Sequence, residues 1–423
     1  MPLISYACLI IFLVTLLTGL RREADFLSPA RIFILLWSFV IGITNLKLSF
    51  LQSYWTYLDW FMVLLGLITF LLGIYSSFII NFNKPILTIN EIRLSNKNII
   101  INERFLFRFI VIYFFLYVIA YIIEWQVEGY IPLISAQPEM ARKMYGIFGV
   151  HLIVQSINII LFLILEYFIF IKSNTNKKFF LFFILIITTV TFALLLQRYN
   201  FIMLILMGIS LFYYSGRKVN LKTFIIFATI IITFIYGIQT LRESNLFLSY
   251  FYYLSDMKFS PRYAEYAIPY MYISMNLETF VKYSSQLDHH SYGFFTLDFL
   301  TALTGVKHFI LEYFNFEKFK SINGYNTYPF YWPYFYDFGV AGLAVIPFIL
   351  GFIFSEFYYL LRKYPSLVTL SLYSVVFSVI AISYTSDPLT RLDMMYNFVI
   401  IVLVQIFIEK KSHQQINSYE FAD

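Results

Sequence analysis

The sequence predicts an all-α polytopic membrane protein, and three observations carry that expectation. Apolar residues make up 60% of the chain, aromatic residues 22% and charged residues only 13%, an imbalance far outside the range of soluble domains. Eleven apolar segments are long enough, or nearly so, to cross a hydrocarbon core of about 30 Å, which takes roughly 20 helical residues. Lys and Arg gather in alternate loops, as they do where short basic loops stay in the cytoplasm.

The expected spans run at about 3–20, 32–48, 57–80, 106–124, 149–171, 179–196, 200–215, 223–240, 333–361, 366–384 and 394–408. The first has no basic residue before it and no small-residue cleavage site after it, and Arg21 and Arg22 follow; it reads as a retained anchor. Spans 179–196 and 200–215 are joined only by Gln197, Arg198 and Tyr199, which makes them an antiparallel hairpin. Span 333–361 contains Pro333 and Pro347 and is expected to tilt or kink. The chain thus divides into residues 1–240 with eight spans, a large loop at 241–332, and residues 333–423 with three spans and a short tail, all in one integrated domain.

Eighteen of the 30 basic residues fall in one set of loops, among them Arg21, Arg22, Lys177, Lys178, Arg362 and Lys363. The opposite short loops hold only Lys47, Arg142, Lys143, Arg198 and Arg391. The expected orientation therefore has the amino terminus and the long loop outside and the carboxyl terminus in the cytoplasm. The net charge of +6 is mostly this cytoplasmic fringe, suited to anionic lipid, and gives no support to nucleic-acid binding. A single cysteine, Cys8, rules out disulfides and thiolate metal sites within one chain.

No Walker A loop, strand-bound GxGxxG, HExxH, G-x-S-x-G or D-x-D motif occurs, which argues against a soluble nucleotide-activated donor and a metal-clamped diphosphate. No metal or other cofactor is expected. The scarce outer cations draw notice instead: Arg142 in a Pro- and Gly-rich loop, Arg198 at the hairpin tip, Arg242 after a span, and Arg262 in SPRYAEY. Guanidinium forks match phosphate oxygens and bind strongly where water is thinned. Snorkelling to headgroups, or pairing with Glu139, Glu243 or Glu265, accounts for any one of them equally well.

His289, His290 and His308 lie in the long loop, where an imidazole can take a proton from a sugar hydroxyl near neutral pH. Asp288 stands next in sequence to orient a ring, and a solvated loop histidine is the plain alternative. The loop closes in NGYNTYPFYWPYFYDFGVAG, residues 323–342. Asn326 and Thr327 offer hydrogen bonds to sugar hydroxyls; Tyr336 and the neighbouring Tyr328, Tyr331, Trp332 and Tyr334 offer flat ring faces. Asp337 enters a span, where a charge is costly and calls for a partner or a function; an arginine such as Arg198 or Arg262 would serve. An interfacial aromatic belt explains part of this composition.

These residues resemble a known family. A loop closing in N-T-x(9)-D-F-G-x-x-G, preceded by RREADFLSPARIF, IPLIS…AR and a lone arginine at a hairpin tip, is similar to the bacterial oligosaccharide repeat-unit polymerases that build O-antigen and capsule. The resemblance implies a metal-independent glycosyltransferase of the polytopic, lipid-donor type (GT-C-like) in the bacterial inner membrane. It would move a growing glycan from undecaprenyl pyrophosphate to the non-reducing end of a new lipid-linked repeat unit. By motif position, Arg142 and Arg198 would hold pyrophosphate, Arg262 and His290 would bind phosphate and activate the acceptor, and Asn326, Thr327 and Asp337 would shape the site. A chain-length regulator and a flippase of the same pathway are the implied partners, beside membrane lipid. An O-antigen ligase, a non-enzymatic exporter or flippase, and an assembly protein without catalysis are the competing readings. The early RREADFLSPARIF and the closing motif favour the polymerase.

Overall fold

The computed structural model describes residues 2–21, 24–172, 175–216, 247–314, 316, 325 and 327–409. The described chain is mostly helical, with isolated bridges at Ser49–Met257 and Ile101–Glu409. The expected span at 223–240, with Arg242 and Asn326, lies outside the described residues.

The helices in chain order are α1 (Pro2–Gly19), α2 (Pro29–Thr44), α3 (Tyr57–Asn81), α4 (Ile89–Lys97), α5 (Glu103–Glu128), α6 (Pro138–Met144), α7 (Val150–Val154), α8 (Ile157–Phe170), α9 (Thr175–Ala193) and α10 (Tyr199–Tyr214). After the undescribed stretch come α11 (Phe247–Leu254), α12 (Ala267–Ser284), α13 (Asp298–Thr304), α14 (Val306–Tyr313), α15 (Trp332–Lys363), α16 (Leu367–Ile382) and α17 (Leu392–Ile408). Helix starts obey local rules. At Thr56, for example, the hydroxyl accepts from the Asp59 N–H (3.3 Å) while the Asp59 carboxylate accepts from the Thr56 N–H (2.7 Å), a reciprocal cap.

Among the described residues, five stretches are both long and apolar enough to cross a bilayer: Tyr57–Asn81, Glu103–Ile134, Val150–Phe170, Thr175–Ala193 and Trp332–Lys363. Five further apolar helices are shorter: Leu3–Gly19, Pro29–Thr44, Tyr199–Tyr214, Leu367–Ile382 and Leu392–Ile408. Their apolar residues remain widely exposed, as with Leu17, Phe115, Phe183 and Phe407, which is the surface a lipid solvent demands.

The chain forms two compact units. The first comprises Met1–Pro85, Ser244–Tyr359 and Val379–Leu392; the second comprises Ile86–Glu243, Leu360–Ser378 and Asp393–Asp423. In the first, α12 packs against α2 and α3, so the polar interruption expected as a loop supplies a core helix. Phe33 stacks on Phe70 at 4.3 Å, Trp37 on Tyr331 at 6.0 Å, and Phe280 of α12 meets Tyr331 edge-on at 5.0 Å. Gly73 lets α3 approach α15 so closely that a Cβ there would strike the Phe348 carbonyl, the close packing that small residues permit between helices in lipid. The break in α15 falls at Gly339 (φ 61°, ψ −143°), while Pro347 sits inside the helix.

In the second unit α8 is almost wholly buried between its neighbours. Glu166 is enclosed there, accepting from Ser371 Oγ and Gln405 Nε2, both at 2.7 Å.

Candidate functional site

The two units carry different parts of the expected site. In the first, the break at Gly339 leaves the carbonyls of the preceding turn without helical donors. The loop at 290–296 supplies them: His290 Nδ1 donates to the Tyr336 carbonyl (3.0 Å), the Ser291 N–H to the same oxygen (3.4 Å), and the Tyr292 N–H to the Asp337 carbonyl (3.3 Å). The Asp337 carboxylate, fully buried, completes the clamp. It accepts from Ser291 Oγ, from the Phe295 N–H at 3.2 Å and from the Thr296 N–H at 2.6 Å.

This arrangement corrects the expectation that an arginine answers Asp337. Three donors from one loop do so, and a carboxylate with several such bonds needs no counter-ion contact to be tolerated in the interior. It also corrects the assignment of Asp288 as the group that orients a histidine. Asp288 is exposed, and the Tyr336 carbonyl holds His290 instead. A carbonyl oxygen only accepts, so Nδ1 carries a hydrogen, and in the neutral ring the free lone pair is then on Nε2. Nε2 stands 3.0 Å from where a Cβ on Gly339 would lie, so the absent side chain leaves the room this nitrogen occupies.

The rings of the closing motif are not displayed. Tyr328, Tyr331, Trp332, Tyr334 and Tyr336 are all buried, and the Tyr336 ring lies against Phe295 at 4.6 Å, so the flat faces expected to meet sugars meet neighbouring rings. The Thr327 hydroxyl donates to Asn276 Oδ1. His289 is exposed, with its ring 6.1 Å from Phe316. Arg262 is exposed in the turn Pro261–Tyr266, and no ion pair joins it to Glu265 among the described residues.

A second buried cluster of this unit went unnoticed in the sequence. Lys47 donates to the carboxylate of Glu278 on α12, and both are almost fully buried. Trp55 Nε1 (3.1 Å) and the Ser53 N–H (3.3 Å) also reach that carboxylate, and the ammonium lies 4.2 Å from the Trp55 ring. Burial pushes the Lys47 pKa down and the Glu278 pKa up, against their mutual attraction. The pair ties the connection after α2 to α12.

In the second unit Arg142 lies half-buried on α6 and Arg198 at the cap of α10. Near both in sequence stands a polar group that the spacing did not reveal. Glu124, fully buried at the end of α5, holds His151 Nδ1 with both carboxylate oxygens (2.9 and 3.1 Å) and accepts the Ile147 N–H at 3.2 Å. Across the ring, Nε2 lies 2.8 Å from Gln155 Nε2 and 3.3 Å from Gln197 Nε2. Asn200 Nδ2 reaches the Gln155 side-chain oxygen at 3.0 Å, and Asn397 Nδ2 its carbonyl at 3.3 Å. A glutamate and a histidine 27 residues apart leave no periodic signal, because two different helices bring them together. Among the described residues no group of three or more His, Cys, Asp or Glu side chains is placed to hold a metal ion.

Long apolar helices, exposed apolar flanks and buried polar clusters near helix ends define a helical integral membrane protein. Within that class, the chain belongs to the O-antigen polymerase family: the family model described as "Putative O-antigen polymerase" matches residues 26–396. That membership implies a glycosyltransferase-type enzyme of polysaccharide biosynthesis, acting on a lipid-linked oligosaccharide in the membrane. Neither the curated proteins nor the solved structures contain a significant match.

Proposed function

We propose that this protein polymerises lipid-linked oligosaccharide repeat units into a surface polysaccharide, whether O-antigen, capsule or exopolysaccharide. It transfers the growing glycan from undecaprenyl pyrophosphate to the non-reducing end of a new lipid-linked unit. The family match across residues 26–396 is the observation that carries this reading. In the proposed arrangement the chain is a GT-C-like enzyme with eleven spans in the bacterial inner membrane, amino terminus outside, carboxyl terminus in the cytoplasm, and residues 241–332 on the outer side. A chain-length regulator and a flippase work beside it.

The chemistry asks little of the protein beyond charge and position. Pyrophosphate is already a good leaving group, so the enzyme must stabilise the negative charge that develops on it and aim a hydroxyl at the anomeric carbon. We assign Arg142 and Arg198 to the pyrophosphate, with Arg242 and Arg262 as further phosphate contacts, and no metal. His290 accepts the hydroxyl proton; the Tyr336 carbonyl supports this role because it leaves Nε2 unprotonated in the neutral ring. Asn326, Thr327, Tyr336 and Asp337 shape the site, and His289 contributes to substrate binding.

The test is the glycan ladder of a deletion strain complemented with wild type, Arg198→Ala or His290→Ala, read against the membrane level of each protein. Wild type restores long chains, and each variant leaves mainly the single lipid-linked repeat. Long carrier-linked chains that fail only to reach their final acceptor would assign the protein as a ligase. An unchanged ladder in the deletion would remove both enzyme readings for that glycan.

A further inference from the structure

The Glu124–His151 pair is the one carboxylate–imidazole couple among the described ion pairs, and the function proposed above does not use it. Its geometry is that of a proton-handling group. The Glu124 carboxylate only accepts, so Nδ1 keeps its hydrogen and Nε2 is the atom at which a proton is held or released, the same division of labour that orients a catalytic imidazole elsewhere. The imidazole is 24% exposed while its carboxylate is fully enclosed, so the couple is anchored from inside and open on the other side.

Two further observations suit a polar ligand there. Among the described residues, four buried polar atoms near the couple or its Gln155 neighbour have no hydrogen-bond partner: the hydroxyls of Tyr121 and Tyr145 and the side-chain oxygens of Asn200 and Asn397. Buried polar atoms left unanswered are costly, and several near one couple suit a polar molecule that bonds to them. The couple also touches residues close in sequence to both arginines assigned to pyrophosphate. Tyr145, three residues after Arg142, meets the His151 ring edge-on at 6.2 Å, and Gln197, next to Arg198, approaches Nε2.

We propose that His151 transfers a proton at the pyrophosphate leaving group and that Glu124 is its positioning residue; the proposal rests on the polymerase reading. As the acceptor oxygen bonds to the anomeric carbon, the bond from that carbon to the bridging phosphate oxygen breaks, and its electron pair stays on the phosphate. The acceptor hydroxyl gives up its proton to its base and so to water; His151 Nε2 takes one proton from water in exchange and passes it to that pyrophosphate, which leaves the imidazole neutral again and the proton count unchanged. The Gln155 and Gln197 amides donate to Nε2 and turn from it to bond to phosphate or sugar oxygens.

The experiment uses the full chain in the deletion strain, with ladder product expressed per molecule in the membrane. His151→Gln, which retains a donor toward Glu124, loses product by on the order of 10²-fold. His151→Ala loses at least as much and recovers part of it when imidazole is added to the cells, a rescue that a purely structural histidine would not show. Glu124→Gln, which keeps the pair's shape without its charge, loses less than His151→Gln. Wild-type product per molecule from His151→Gln, or no recovery of His151→Ala with imidazole, overturns the proposal while leaving the polymerase reading intact if wild type restores the ladder. An unaltered glycan in the deletion strain overturns both.

Discussion

Replacing Gly339 by alanine tests the clamp around His290 at its tightest point. The residue holds φ 61° and ψ −143°, a conformation in which a side-chain-bearing residue pays about 1–3 kcal/mol. The new methyl would also lie 3.0 Å from His290 Nε2 and 3.1 Å from Cε1, so the ring must leave its rotamer at a further 0.5–1.5 kcal/mol or so. Together these give a loss of about 1.5–4.5 kcal/mol. Moving the imidazole relieves the crowding at the expense of the Nδ1 bond to the Tyr336 carbonyl, which contributes roughly 1 kcal/mol, so the ring gives way before the backbone does. Thermal unfolding of the detergent-purified protein reads the first effect, and the glycan ladder reads the second, with His290→Ala as reference. Gly339→Ala is expected to lower the midpoint and to approach His290→Ala in ladder length. A variant with the wild-type midpoint and full ladder would refute both the strain argument and the placing of Nε2 in that space.

Further outcomes follow from the same buried groups. Asp337→Asn keeps one acceptor for the loop at 290–296, whereas Asp337→Ala leaves the Phe295 and Thr296 N–H groups unanswered at about 1–3 kcal/mol each; thermal midpoints should fall in the order wild type, Asn, Ala. Glu278→Ala strands the buried Lys47 ammonium and should cost about 3–5 kcal/mol, while Lys47→Met with Glu278→Leu recovers most of that loss, measured by the same unfolding assay. Asp387 is buried in the connection that follows α16, where burial outweighs its bonds from Tyr334 and the Leu389 N–H and pushes its pKa from 3.8 up to about 6. The folded state thus holds its proton to higher pH than the unfolded chain. Its contribution is complete below about pH 4 and is lost as pH rises through about 6, by about 3 kcal/mol. Asp387→Asn should flatten that part of the stability curve. Arg198→Ala, which removes charge-assisted bonds of about 1.5–3 kcal/mol each, should cut ladder product by roughly 10- to 100-fold per molecule.

The sequence by itself determined the class of the protein. Apolar length and the poverty of charge follow directly from a lipid solvent that satisfies no backbone polar group, so they survive reading one residue at a time. Candidate residues with unusual chemistry for their surroundings, such as Asp337 in a span and the lone arginine at a hairpin tip, were equally visible. Their partners were not. Asp337 is answered by backbone N–H groups some forty residues earlier, which carry no sequence signature. The α12 helix was hidden because Asn276, Glu278 and Thr279 interrupt its apolar pattern, although Lys47 and Thr327 bond to the first two of them. The closing aromatics looked like exposed platforms because ring composition is the same whether a ring faces a sugar or a phenylalanine. Only tertiary packing decided these points, and only it brought Glu124 to His151, since a buried carboxylate selects its partner by the crossing of helices and not by distance along the chain.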